Sequence, residues 1–333
     1  MPEPTFYLLL LIIILAIGFG FTNGLNDAAN AIATAVGTRV LSPRNAVMLA
    51  AVFNFAGTAT GTAVAQTIGK GILLPEAVTY STVIAALAAI ITWAVLATYY
   101  GLPISLTHGL VAGLAAAGLG TVGSEAITWS VLGRVLSAVV TAPLLGFTGG
   151  FLGMVCLYWI FRRIAPAMIR RIFSNLQILS TAFIAYSHGK NDGQMPIGIS
   201  TMALVIYSGQ SGLWENIPWW IIILSSLSIS SGMAIGGWRV IRTMGMRITT
   251  LRPIHGFAVQ TSAAAVIEAA SYLGIPVSTT HCISSSIMGV GATKRFSAVR
   301  WGVAGNIVAA WIFTFPICGG LGYFFAWLLK MVF

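Results

Sequence analysis

Gly101-Leu102-Pro103-Ile104-Ser105-Leu106-Thr107-His108 returns 173 residues later as Gly274-Ile275-Pro276-Val277-Ser278-Thr279-Thr280-His281. A second motif behaves the same way. Gly24-Leu25-Asn26-Asp27 is echoed 165 residues on by Gly189-Lys190-Asn191-Asp192. Trp129, Gly133 and Pro143 find counterparts in Trp301, Gly305 and Pro316. The chain is a duplication, and each half carries one Asn-Asp pair and one Pro-x-Ser-x-Thr-His segment. The first repeat is expected over 1–163 and the second over 174–333, joined by a basic cytoplasmic loop at 164–173.

Composition says where these halves live. Of 333 residues, 57% are hydrophobic and only 7% are charged, and the mean hydropathy is +0.91. A soluble domain carries about 25% charged residues. Apolar runs of membrane-crossing length recur from end to end. About ten crossings are expected: Thr5 to Gly37, interrupted near Gly24; Asn45 to Ile68; Ala77 to Thr98; Pro103 to Gly120; Trp129 to Ile160; a second broken element from Ile172 to Tyr207; Ile217 to Gly237; Pro253 to Tyr272; Pro276 to Thr293; and Trp301 to Leu329. The run after Glu3 has no basic residues ahead of it, unlike a signal peptide, and reads as a retained first span. Cys156, Cys282 and Cys318 are odd in number and far apart, with neither metal nor disulfide spacing.

The net charge of +10 points to membrane orientation rather than nucleic acid. Arg39, Arg44, Arg162, Arg163, Arg170, Arg171, Arg239, Arg242, Arg247, Arg252, Lys294, Arg295 and Arg300 fall in alternate connections. Glu3, Glu76, Glu125 and Glu215 fall on the other side with Lys70 and Lys330, and Arg134 lies near that side too. The positive-inside rule then places the basic connections in the cytoplasm and both termini outside. Five crossings per half is an odd number, so the second repeat is inverted. The expected fold is an all-α polytopic membrane protein, built of inverted-topology repeats with broken or half helices near the bilayer midplane.

Asp27 and Asp192 are the only aspartates. Both sit in apolar segments, where an ionisable group is expensive and marks function; capping of a broken helix is the alternative. Asn23, Asn26, Asp27 and Asn30 share a helix face, which Thr34 continues. Such a face suits a cation or a hydrated anion. In the Pro-x-Ser-x-Thr-His segments the proline suits a first helical turn. The free N–H groups, positive helix end and hydroxyls there favour an anion. Ser105, Thr107, Ser278, Thr279 and Thr280 are the candidate donors, and two such helix ends can surround one tetrahedral oxyanion. Ordinary spans with hydroxyls bonded to their own helix are the alternative. His108 and His281 suit either a proton relay or packing. Lys190 has three options: the anion, Asp192 or an outward reach. Glu268 is an unrepeated acid in an apolar span. Ser225 to Ser231 with Gly232 reads as a close-packing helix face.

Gly24-Leu25-Asn26-Asp27-Ala28-Ala29-Asn30 and His188-Gly189-Lys190-Asn191-Asp192-Gly193-Gln194, with the two Pro-x-Ser-x-Thr-His segments in order, resemble the inorganic phosphate transporter (PiT) family over nearly the whole chain. The resemblance implies an inverted-repeat fold, commonly dimeric, that takes up inorganic phosphate with H⁺ or Na⁺. It implies no cofactor and no enzymatic activity. Asn26 and Asn191 join the substrate donors, and Asp27, Asp192, Asn23 and Asn30 become the cation-coupling set, with Na⁺ near the aspartates as an option. Gln194 is a secondary candidate. The sodium-dependent branch commonly has glutamates where this chain has Asn54 and Gln260, and many bacterial relatives have a lysine where Met195 stands. Neutral amides hold a hard cation less strongly than carboxylates, so a proton is the favoured coupling ion. A sulfate symporter and an anion channel are the rivals. Buried aspartates line an anion pore poorly unless a cation neutralises them, which argues against the channel. No metal-ligand cluster, nucleophile elbow or P-loop is legible.

Overall fold

The computed structural model describes residues 4–74 and 77–331. Glu3 and Glu76, used in the charge count, lie outside the described residues, as do the extreme termini. Among the described residues thirteen α-helices follow in order. In the first half they are α1 (Pro4–Gly37), α2 (Pro43–Thr58), α3 (Ala63–Gly71), α4 (Tyr80–Tyr100), α5 (Leu106–Thr121) and α6 (Trp129–Ile160). The second half has α7 (Pro166–Asp192), α8 (Gln194–Ser208), α9 (Trp219–Ile235), α10 (Trp238–Arg242), α11 (Pro253–Tyr272), α12 (Thr279–Ala292) and α13 (Trp301–Lys330). A π-helical turn, Thr243–Arg247, extends α10.

The packing repeats with the sequence. α1 lies on α9 as α7 lies on α2, and α5 lies on α13 as α12 lies on α6. Likewise α1 meets α4 as α7 meets α11, and α3 meets α8 as α10 meets α1. Glycines set the closest of these contacts. A Cβ on Gly24 would fall 1.9 Å from the Ile229 carbonyl oxygen, and one on Gly232 would fall 2.1 Å from that of Phe21. Across the other pair, Gly57 would meet the Tyr186 oxygen at 2.0 Å and Gly189 the Asn54 oxygen at 2.1 Å. Small residues of this kind let apolar helices approach backbone to backbone. The Ser225 to Ser231 face behaves as expected: the Ser228 hydroxyl donates to the Ile17 carbonyl of α1.

Several expected boundaries move. α1 is not interrupted at Gly24; it is one helix of 34 residues, because that glycine serves packing rather than a break. The second motif is broken, at Gly193 between α7 and α8. The span expected from Asn45 to Ile68 is two helices bent by 73°, and that from Ile217 to Gly237 runs on into α10 with a bend of 60°. Pro103 and Pro276 precede their helices rather than starting them. Ser105 and Ser278 are the N-caps, accepting the N–H of His108 at 3.2 Å and of His281 at 3.1 Å. The central loop expected at 164–173 is shorter, since α7 starts at Pro166 and carries Arg170 and Arg171. Arg239 and Arg242 likewise sit on α10 rather than in a connection.

Four helices (α1, α4, α6 and α13) are each long and apolar enough to cross a membrane, and the two bent pairs raise the count to six. The ten expected elements are all present as helices. α5 and α12, at 16 and 14 residues, reach only about 24 and 21 Å at 1.5 Å per residue, short of a core about 30 Å thick. Nearly all of α12 is buried, so its hydropathy need not match lipid. The protein is a multi-pass, all-helical membrane protein.

Candidate functional site

The chain enters α5 and α12 through matching turns. Gly101 (φ 71°) and Gly274 (φ 66°) take left-handed backbone, which glycine adopts without strain. Each turn is pinned by a threonine on the second limb of a bent pair: Thr243 Oγ1 donates to the Gly101 carbonyl at 3.0 Å, and Thr67 Oγ1 to that of Gly274 at 2.7 Å. Arg239, one helical turn before Thr243, stacks on Tyr99 at 4.5 Å and donates to the Tyr99 carbonyl. Ala63 holds the matching place beside Gly274.

These turns bring the two helix starts together. Thr107 Oγ1 donates to the Val277 carbonyl at 3.3 Å, and the rings of His108 and His281 lie 4.9 Å apart. His108 stacks on Phe315 and His281 on Trp311. All four ring nitrogens are buried without a hydrogen-bond partner. The first-turn N–H groups of Leu106, Thr107, Thr279 and Thr280 have no intrahelical acceptor by helix geometry. Ser105 and Ser278 use their oxygens as caps and keep a hydroxyl proton free to donate.

The aspartates meet the same place. Thr280 Oγ1 donates to Asp27 Oδ1 at 3.1 Å, and Thr279 Oγ1 donates to Asp192 Oδ2 at 3.0 Å. Asn30 Nδ2 bonds both threonine hydroxyls, at 2.9 and 3.1 Å. Between the carboxylates stands His188. Its Nε2 is 3.5 Å from Asp27 Oδ2 and 3.3 Å from Asp192 Oδ2, and its Nδ1 meets Asn54 Oδ1 at 2.7 Å. An amide oxygen only accepts, so Nδ1 carries a proton. The ligand atoms of Asp27, His188 and Asp192 all lie within 4.8 Å of one another, a grouping able to hold a metal ion. The cluster is hard to read in one dimension because Asp27 and His188 are 161 positions apart. His188 stands in the quoted motif without a role assigned from sequence, and its place one helical turn before Asp192 is the signal that links them.

The remaining candidates divide. Asn26 Nδ2 reaches Thr98 Oγ1 at 2.8 Å and the Leu102 carbonyl at 3.4 Å, anchoring the entrance to α5. Asn191 does the same before α12. One of its amide atoms is 3.0 Å from Ser271 Oγ; the other is 3.0 Å from both Asp192 Oδ1 and the Val277 carbonyl. Those two only accept, so the amide nitrogen faces them. Asn23 is buried with both amide atoms unpartnered, and Asn26 Oδ1, Asn30 Oδ1 and Thr34 Oγ1 are also orphaned. Buried polar atoms left alone cost about 1–3 kcal/mol each, so this stripe of α1 has unused capacity for hydrogen bonds.

Three candidates lie outside the cluster. Gln260 accepts from Ser180 Oγ at 2.6 Å and donates to Thr181 Oγ1 and the Ala31 carbonyl. Gln194 Oε1 caps α3 through the N–H groups of Val64 and Ala65. Lys190 takes none of its three sequence options: its ammonium pairs with Glu268 at 2.7 Å, the two side chains 23% and 21% exposed.

Two buried carboxylates against one imidazole leave negative charge that a cation can neutralise. The adjoining helix ends and hydroxyls offer donors to an anion. The profile of the phosphate transporter family matches residues 23–322. A Rhizobium meliloti (strain 1021) protein described as a probable low-affinity inorganic phosphate transporter is 44% identical over 326 residues, which cover 96% of this chain and 97% of the relative. A Bacillus subtilis (strain 168) protein with the same description is 39% identical, covering 98% of each. A solved structure described as the sodium-dependent phosphate transporter matches with a TM-score of 0.91 at 28% identity, covering 98% of this chain and all of that one. The chain belongs to the phosphate transporter family.

Proposed function

We propose that the protein imports inorganic phosphate across a cell membrane by symport with a proton. The observation that carries the reading is the bonding of α12's first-turn threonines to both aspartates. Thr279 and Thr280 spend their single hydroxyl protons on the carboxylates, which leaves their backbone N–H groups for an anion, so the anion end of α12 and the cation acceptors form one unit, which is what coupling requires. Phosphate enters as an ion with one to two negative charges against about 2.3 kcal/mol per charge per 100 mV, so its accumulation needs positive charge carried with it. Orphaned acceptors on Asn23, Asn26 and Asn30, beside the donors of α5 and α12, suit an anion that both accepts and donates. Phosphate near neutral pH does both; sulfate only accepts.

His188 supports the proton. Its imidazole stands between the carboxylates, where a metal ion would seek several oxygens. Asn54 Oδ1 is engaged by His188 and Gln260 Oε1 by Ser180. Sodium is the second reading, favoured by the likeness to the sodium-dependent transporter and by the close donor set of Asp27, His188 and Asp192. The remainder of the proposal is two inverted repeats over 1–163 and 174–333, termini on the outside, and a homodimer carried over from the resemblance.

The test is labelled-phosphate uptake into proteoliposomes under separate pH and sodium gradients. A pH gradient alone is expected to drive accumulation. Asp27→Asn or Asp192→Asn is expected to abolish accumulation in protein that still inserts and elutes as wild type. Uptake that follows sodium and ignores the pH gradient overturns the proton. Accumulation that survives both replacements overturns the site.

A further inference from the structure

A cavity of about 1170 Å³ opens on the basic face, where the end of α6, the start of α7, the start of α11 and the connection after α12 come together. It is far from small: inorganic phosphate would fill only a minor part. Its charged lining is wholly cationic, with Arg162, Arg170, Arg252 and Lys294 around it and no acidic residue among its lining residues. Like charges repel when gathered in this way, and nothing in the lining offsets them. Burial, with Arg252 nearby, pushes the Lys294 ammonium below its usual range. Lys294 spends one donor on the Thr250 carbonyl at 2.7 Å.

Two further features point to an anion. α7 and α11 both begin at the cavity rim, with Pro166 and Pro253 in their first turns, so two positive helix ends face it. Tyr158, in the lining, adds a hydroxyl. His255 Nδ1 accepts the Arg252 N–H at 3.0 Å, which leaves its proton on Nε2, facing the Tyr158 oxygen at 2.9 Å. With its oxygen accepting from the ring, the Tyr158 hydroxyl is left to donate elsewhere. The other walls are aliphatic and aromatic, Phe161 among them. An anion with an apolar body fits such walls.

We propose that this cavity is a second, non-transport site that binds the phosphoryl group of a larger phosphorylated anion. Arg162, Arg170, Arg252 and Lys294 take the phosphoryl oxygens by charge-assisted bonds. The apolar wall takes the rest of the molecule. The face is the one that the positive-inside count assigns to the cytoplasm, so the phosphoryl group comes from the anionic lipid of that leaflet or from a soluble cytoplasmic polyphosphate.

Calorimetric titration of the purified full-length protein with dihexanoyl phosphatidic acid and with sodium tripolyphosphate tests the proposal. One of the two is expected to bind. Arg170→Gln with Arg252→Gln is expected to weaken that binding by about a hundred-fold, at about ten-fold for each charge-assisted bond. Arg44→Gln, on the same face but outside the cavity, is expected to leave it unchanged. Binding is also expected to persist in Asp27→Asn, which separates the cavity from the transport site. Phosphatidic acid binding without tripolyphosphate identifies the lipid as the source, and the reverse identifies the soluble anion. Binding of neither, or binding that survives the double replacement, overturns the proposal. So does equal loss in Arg44→Gln.

Discussion

Thr280 ties the start of α12 to the Asp27 carboxylate, and Thr280→Val isolates that tie. The replacement keeps the shape of the side chain and removes two hydrogen bonds. One is donated to the Asp27 carboxylate at 3.1 Å and the other is accepted from Asn30 at 2.9 Å. A bond to a charged group contributes about 1.5–3 kcal/mol and a neutral one about 0.5–1.5 kcal/mol. Their combined loss is about 2–4.5 kcal/mol, or roughly thirty- to more than a thousand-fold in an equilibrium constant. Thr280→Ser keeps both bonds and loses one buried methyl, about 0.8 kcal/mol or roughly four-fold. Proteoliposome uptake gives two curves: rate against phosphate, and rate against the driving cation. Thr280→Val is expected to shift both, and Thr280→Ser to restore both nearly to wild type. If phosphate affinity falls while the cation curve stays in place, Thr280 serves the anion alone, and the link through Asp27 is refuted.

Three further predictions follow from other parts of the fold. In a Cys156→Ser background, cysteines placed at the exposed Ser124 and Ser297 are expected to react with an impermeant maleimide from opposite sides of intact cells; same-side labelling removes the inverted topology. Gly24→Ala is expected to destabilise by about 1–3 kcal/mol, because its Cβ meets the Ile229 carbonyl. Gly133→Ala meets nothing within 4 Å and is expected to leave the thermal midpoint in place; equal midpoints for the two would contradict the close contact. Lys190→Met is expected to lower the amount of inserted protein by stranding Glu268 at membrane depth, and Lys190→Met with Glu268→Met to recover it. Loss of phosphate affinity in the well-inserted double variant would place Lys190 in the site after all.

Much of this was legible because duplication doubles every signal. The paired motifs named both aspartates, both helix starts and the polar face of α1 before any coordinates. What was not legible depends on distance along the chain or on a residue with two uses. His188 gains meaning only when α1 brings Asp27 beside it. Gly24 reads as a breaker in one dimension and proves to be a contact in three. Asn54 looks like a weakened cation ligand in a linear comparison, yet it orients the imidazole. Pro103 and Pro276 point to the right neighbourhood, but the N-capping serine two residues after each sets where the helix begins. The bent pairs escaped notice because a 73° turn at 59–62 leaves hydropathy almost unchanged.

The two pinned turns differ in one respect. On the basic side Arg239 clasps the Tyr99 turn with a cation–π contact and a hydrogen bond; on the other side its counterpart is Ala63, and a cavity of about 450 Å³ with Arg134 in its wall stands there instead. A transporter made of two identical halves would spend equal time open to each side, since exchanging the halves' shapes would cost nothing. Arg239 breaks that tie. It adds contacts to one of the two turns only. The departure from perfect duplication therefore makes the two arrangements unequal in energy before any substrate arrives.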